Sequence, residues 1–228
     1  FRLGASAHGD DVYEITQSIR FNDGDSPELT KTYSGAGSRT TFTISVWFKL
    51  GAYFSSSGAL GPFFNGGTGA SDTGWTGLSV RRDGSNAQIA FQGYNTNWRL
   101  TNRKLRDHSA WYHLVGVWDT TNTIASRRVR IYINGLEETS FATSNNPSAS
   151  AQAGIGQAAK HSIGYQSRSA GFGYFDGYMA EIYYLDGYAY DPSYFGEFDD
   201  FDNWIPKEYT GSYGTNGFKI DGRDSSDL

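Results

Sequence analysis

Arg128-Val129-Arg130-Ile131-Tyr132-Ile133-Asn134-Gly135 alternates apolar with polar side chains and then stops at a dipeptide suited to a tight turn. Successive strand residues point to opposite faces, so Val129, Ile131 and Ile133 share one face while Arg128, Arg130 and Tyr132 share the other, as in a half-buried strand. Asn134-Gly135 supplies the positive φ angles that a hairpin turn requires. Phe42-Thr43-Ile44-Ser45-Val46-Trp47-Phe48 and Leu114-Val115-Gly116-Val117-Trp118 instead carry bulk on both faces, the pattern of central strands covered on each side. Trp47 and Trp118 are therefore core candidates, with Ile131, Ile133 and Ile182.

Working outward, short β-favouring runs at 18–21, 41–50, 77–82, 87–94, 98–101, 111–119, 127–134, 161–165 and 177–185 are separated by Gly, Asn, Asp and Ser. No longer stretch keeps a helical period, so the runs predict an all-β chain of two packed antiparallel sheets with little helix. Arg82-Asp83-Gly84-Ser85-Asn86 turns residues 77–94 into a hairpin. Composition agrees: 29 Gly among 228 residues exceeds the usual share of about 7%, and 6 Trp, 16 Tyr and 15 Phe favour strands. The small, polar stretch 142–157 reads as an exposed loop whose replacement by a short Gly linker leaves the fold intact.

Nineteen Lys and Arg against 24 Asp and Glu give a net charge of −5, which opposes broad binding to phosphate backbones or anionic lipid. No apolar run approaches the roughly 20 residues of a membrane-spanning helix. Neither nucleic acid nor membrane is expected as a partner. The absence of Cys removes disulfides, thiolate metal sites and Cys nucleophiles together. The chain opens Phe1-Arg2-Leu3-Gly4, with neither an initiator Met nor a signal peptide's apolar stretch, and is expected to be a piece of something longer.

Several segments together resemble the laminin-G-like and concanavalin-A-like jelly-roll superfamily: Ser18-Ile19-Arg20-Phe21-Asn22, the run 42–49, Trp111-Tyr112-His113 with 114–119, the run 129–135, and Tyr174-Phe175-Asp176-Gly177-Tyr178-Met179-Ala180-Glu181-Ile182. The resemblance implies a two-sheet jelly-roll sandwich over residues 18–190, after a lead-in at 1–17. An irregular segment at 191–220 is expected to lie along the sandwich, held by Phe195, Phe198, Trp204 and Tyr213, with residues 221–228 a linker toward a further module. A narrower resemblance, carried by 38–47, Leu185-Asp186-Gly187, 191–197 and 204–218, is to virion proteins of marine tailed phages. It implies a virion location, other virion proteins as partners and many copies per particle. The family commonly has Asp where this chain has Ala180, so no role for that carboxylate carries over.

Glycanases of this fold resemble one another in a catalytic strand of Glu-x-Asp type, because retaining hydrolysis needs two carboxyl groups about 5 Å apart. No such spacing occurs here. Glu137-Glu138 splits across faces, and Glu181 and Asp186 are five apart with only apolar and Tyr bulk between. His8, His108, His113 and His161 lack metal-ligand spacing, and no Gly-x-Ser-x-Gly elbow occurs. No enzyme activity and no required cofactor are expected. Calcium has hard-oxygen candidates in Asp119, Asp199, Asp200 and Asp202, although solvated turn carboxylates are the plainer reading.

Sugar recognition needs rings against the apolar faces of pyranoses and planar amide or guanidinium groups on their hydroxyls. Arg81, Gln88, Gln92 and Tyr94 offer these on the polar face of the hairpin, followed by Asn97, Trp98 and Arg99 at its exit, with Trp75 as a loop-tip candidate. In a chain this aromatic, core packing is the competing role for Trp98, Tyr94 and Trp75. Attachment to a host-surface glycan without turnover is the expected function; a purely structural module that binds other virion proteins is the alternative, and a carbohydrate-active enzyme the third.

Overall fold

The computed structural model describes residues 13–51, 60–71, 74–84, 86–167 and 173–223. Most of the lead-in, Ser85 of the hairpin turn and the last five residues of the expected linker lie outside this set. The strands in chain order are β1 (Ile19–Phe21), β2 (Leu29–Thr32), β3 (Thr41–Leu50), β4 (Leu60–Gly66), β5 (Thr76–Asp83), β6 (Asn86–Gly93), β7 (Asn97–Thr101) and β8 (Trp111–Asp119). They continue with β9 (Val129–Ile133), β10 (Leu136–Glu137), β11 (Phe141–Ser144), β12 (Lys160–Ile163), β13 (Gly177–Asp186), β14 (Gly196–Phe198), β15 (Trp204–Pro206) and β16 (Phe218–Ile220). Among the described residues, helix is confined to three single 3-10 turns.

The first sheet runs β1-β13-β3-β8-β9-β10, with β16 also beside β13; the second runs β11-β7-β6-β5-β4-β12-β2. Every pairing is antiparallel, and Asn134 and Gly135 both take positive φ between β9 and β10, as the Asn-Gly signal predicts. The all-β, two-sheet sandwich expected from the sequence is the fold. Its core lies between the sheets, where Phe42, Ile44, Phe48, Trp118, Ile131 and Ile133 of the first meet Phe63, Leu78, Val80, Ile89 and Phe91 of the second.

The two-sided bulk of β3, β8 and β13 has a second cause. The outer face of the first sheet is covered by the C-terminal segment, where Phe195 and Tyr209 pack on Val115, Val117, Tyr183 and Leu185. Phe195 is buried there, whereas Phe198 remains 46% exposed with its ring edge-on to Trp204. Part of that segment is regular: β14 pairs with β15, and β16 joins the first sheet beside β13.

The expectation of an exposed loop at 142–157 holds for residues 145–152, which are irregular and largely exposed apart from Pro147, and is corrected at both ends. Phe141–Ser144 forms β11 at the edge of the second sheet, and Ala153 and Ile155 are fully buried in the main core. The Ala153 amide donates to the Arg39 carbonyl at 2.7 Å, and the Ile155 amide to Thr76 Oγ1 at 2.9 Å. Smallness marks close backbone approach here: a Cβ on Gly154 would sit 2.5 Å from Trp75 Cα. β4 escapes sequence reading because Gly61, Pro62 and Gly66 look like breakers, yet Pro62 sits at a register shift in the ladder to β5, a position that tolerates a missing N–H.

Candidate functional site

Alternation on β5 and β6 places Leu78, Val80, Ile89 and Phe91 in the core and turns Gly77, Ser79, Arg81, Gln88, Ala90 and Gln92 to the outer face. The facing pairs there are Arg81 with Gln88, Ser79 with Ala90, and Gly77 with Gln92. A register shift at Phe91 and Gln92 swings the chain so that Asn97 of β7 faces Gln92, whose Nε2 donates to Asn97 Oδ1 at 3.0 Å. The result is a cleft of about 220 Å³ whose lining includes Arg81, Gln92, Tyr94, Asn97 and Gln166. Five of the eight residues proposed from the sequence, Trp75, Arg81, Gln92, Tyr94 and Asn97, thus come together around one opening.

Two features set their chemistry. Arg81 is partly buried and has no hydrogen bond or ion pair, and Gln92 Oε1 is buried without a donor among the described residues. Ser79 Oγ, on the same outer face, is likewise buried and unpartnered. Among the described residues no carboxylate lines the opening. Uncommitted donors and acceptors of this kind are able to hold hydroxyl groups.

Trp75 and the three candidates outside the lining, Gln88, Trp98 and Arg99, are engaged by partners within the fold. Trp75 is 1% exposed, and its indole donates to Asn65 Oδ1 at 3.2 Å, so it is not a loop-tip ring; it forms part of the cleft wall from beneath. Asn65 also accepts from the Ser167 amide and donates to the Ser162 and Tyr165 carbonyls, which ties the segment after β12 to this face. Arg99 is 2% exposed and donates to the Ser126 carbonyl and to Asn146 Oδ1, with its charge over the Phe141 ring. Trp98 stacks edge-on against Trp118, and Gln88 Nε2 donates to the Thr101 carbonyl.

A larger groove of about 890 Å³ on the first sheet escaped the sequence reading. Trp47, Trp111, Asn134, Phe198, Asp202 and Trp204 are among its lining residues, brought from β3, β8, the β9–β10 turn and the β14–β15 hairpin. Trp204 is held by a hydrogen bond of 3.0 Å from its Nε1 to His113 Nδ1 and lies against Gly135, where a Cβ would meet the ring at 2.3 Å. His113 stacks between Trp47 and Trp204, and its Nε2 faces Ser45 Oγ at 2.8 Å. Accepting at Nδ1 fixes the Nε2–H tautomer, and burial pushes the imidazole down to about 3, so it is neutral at physiological pH. The alternation of acids and aromatics at 197–204 was the one local signal for this groove.

The calcium candidates fall at two places, Asp119 at the end of β8 and Asp199, Asp200 and Asp202 together in the β14–β15 turn. Asp119 ends β8 and accepts from Thr121 Oγ1, about 20 Å along the strand from His113 on which Trp204 rests. Asp199 spends its carboxylate on its own turn, accepting from the Phe201 and Asn203 amides, and these bonds hold it below the usual carboxylate range. Among the described residues no three His, Asp or Glu side chains form a metal-binding group.

Residues 22–187 match the family model Laminin_G_3, described as the concanavalin A-like lectin/glucanases superfamily. No curated protein matches the chain. Among solved structures, a Bacteroides ovatus protein named for carbohydrate binding is similar at TM-score 0.52 and 16% identity over 86% of this chain and 49% of its own. Tailspike protein 2 of Escherichia coli O157:H7 bacteriophage CAB120 is similar at TM-score 0.51 and 16% identity, over 78% of this chain and 23% of its own. Domains LG4-5 of the mouse laminin alpha1 chain are similar at TM-score 0.50 and 10% identity, over 94% and 49%. The chain thus spans half or less of these structures, and at such identities they share its fold.

Proposed function

The chain belongs to the concanavalin A-like lectin/glucanases superfamily, and on that premise we propose that it is a non-enzymatic glycan-recognition module of a phage particle. The observation that carries the reading is the cleft on the second sheet, where Arg81 and Gln92 Oε1 lack protein partners beside Tyr94 and Asn97. Groups that are partly desolvated and unpaired cost stability unless something else pairs them, and sugar hydroxyls have the complementary chemistry. Among the described residues the lining has no carboxylate, which supports binding without bond cleavage. The virion setting, a tail, fibre or head-decoration protein, rests on the sequence resemblance of 38–47 and 185–218 to phage virion proteins. A tailspike alike in fold is in keeping with it.

The test is retention on host surface polysaccharide. Arg81→Ala with Gln92→Ala should lower retention of the folded domain about tenfold or more, and the wild type should release no reducing ends. Unchanged retention in the double variant removes this cleft from the reading, and released reducing ends replace it with an enzyme. The assembly alternative has its own support in Leu136, Phe198 and Phe201, exposed at 54%, 46% and 76%, the first two lining the groove on the first sheet. Normal adsorption combined with failure of Phe201→Ser and Leu136→Ser chains to enter particles would favour it.

A further inference from the structure

We infer that the cleft on the second sheet selects glycans bearing a carboxylate, as a uronic acid does, with Arg81 as its partner; this rests on the glycan reading above and narrows it. Every other described arginine apart from the exposed Arg106 is committed. Arg20 pairs with Asp176, Arg103 with Glu138 and Arg127 with Glu137, Arg223 lies 3.6 Å from Asp221, and Arg39, Arg82, Arg99, Arg128 and Arg130 donate to oxygens of the chain. Arg81 alone is both partly buried and unpaired. A guanidinium is planar and presents a fork of donors that matches a carboxylate in two parallel bonds, so the vacant partner has a definite shape.

The surroundings reinforce that sign. In a chain of net charge −5, the segments that contribute Leu60 and Gln166 to the cleft hold no Asp or Glu between Leu50 and Ser71 or between Thr139 and Phe175. Asp83, the next acid on the β5 face, is neutralised by Lys104 at 2.6 Å. Among the described residues, no acidic side chain in the lining competes for Arg81 or repels an anion. At about 3.3 Å per residue, Arg81 and the Gly77–Gln92 pair stand roughly 13 Å apart, so a carboxylate held by Arg81 leaves neighbouring hydroxyls within reach of Gln92 and Asn97.

The experiment compares three probes on the whole chain by calorimetry: a glucuronic-acid-containing oligosaccharide, the same oligosaccharide with its carboxyl groups reduced to alcohols, and a sulfated neutral counterpart. Wild type should bind the uronic form at least about tenfold more tightly than the reduced form, with affinity falling as salt rises. Arg81→Gln should abolish that preference while melting like the wild type, since no hydrogen bond or ion pair of the described residues is removed, and Arg81→Lys should restore part of it. Equal wild-type affinity for acid and reduced forms overturns the charge selection and leaves glycan recognition standing. Preference for the sulfated probe over the uronic one overturns the carboxylate assignment, and absence of binding to all three overturns both this inference and the cleft as a glycan site.

Discussion

At the scale of single residues, burial decides what a side chain is free to do. Arg81 and Arg99 look alike in sequence, both on hairpin strands beside polar neighbours, but Arg99 is enclosed by the 125–127 turn and the Asn145-Asn146 segment while Arg81 keeps its donors free. His113 shows the same principle in its titration. Burial takes His113 to about 3 and His161 to about 4, both well below the 6.5 of an exposed histidine. The unfolded chain therefore takes up protons first as pH falls. Stability is complete above pH 6.5 and declines through the window down to about 4 for His161 and about 3 for His113, by up to about 1.4 kcal/mol per pH unit for each. Melting temperature recorded from pH 7 to 4.5 should fall accordingly, and His113→Gln should flatten the slope; a pH-independent melt in the wild type would contradict the buried neutral imidazole.

At the scale of elements, small residues served two opposite purposes that sequence does not distinguish. In 142–157 they permit β11 to cross the edge of the second sheet and Gly154 to pass against Trp75, where a side chain has no room. Replacing 142–157 by a Gly linker should now abolish cooperative thermal melting, because Ala153 and Ile155 leave the core with it. The milder Ile155→Ala should cost about 2–5 kcal/mol in urea denaturation. An intact melt in the deletion would restore the exposed-loop reading. Strand periodicity, by contrast, was legible: the alternation in β9 and the double-sided bulk of β3 and β8 follow from which faces are covered, and Asn134-Gly135 turns as its φ preference requires.

At the scale of the whole molecule, a shallow cleft of about 220 Å³ offers few contacts. Affinity for one glycan site should be weak, in the millimolar to micromolar range of about 4 to 8 kcal/mol. Many linked copies would raise it by about 10² to 10⁴ without any new contact. Surface plasmon resonance of the free domain and of the same domain displayed on a multivalent particle, over one immobilised polysaccharide, should show that gap. Equal apparent affinity of the two forms would remove avidity from the account.

The sequence by itself determined the strand periods of β3, β8 and β9, the Asn134-Gly135 turn, the sandwich and the part of its core those strands supply, because these depend on which neighbours along the chain share a face, and a period of two reads that directly. It also supplied half of the cleft, since Arg81 and Gln92 share a face of one hairpin. Only the tertiary structure decided which of the eight candidates stay accessible. Trp75 is buried and bonded to Asn65, Arg99 is buried among distant carbonyls, and Trp98 is partly buried against Trp118, through partners ten or more residues away in sequence. The same holds for the Trp111–Trp204 groove, whose walls come from strands and a hairpin nearly a hundred residues apart. Burial and the commitment of each polar group are properties of packing between segments, and no local pattern encodes them.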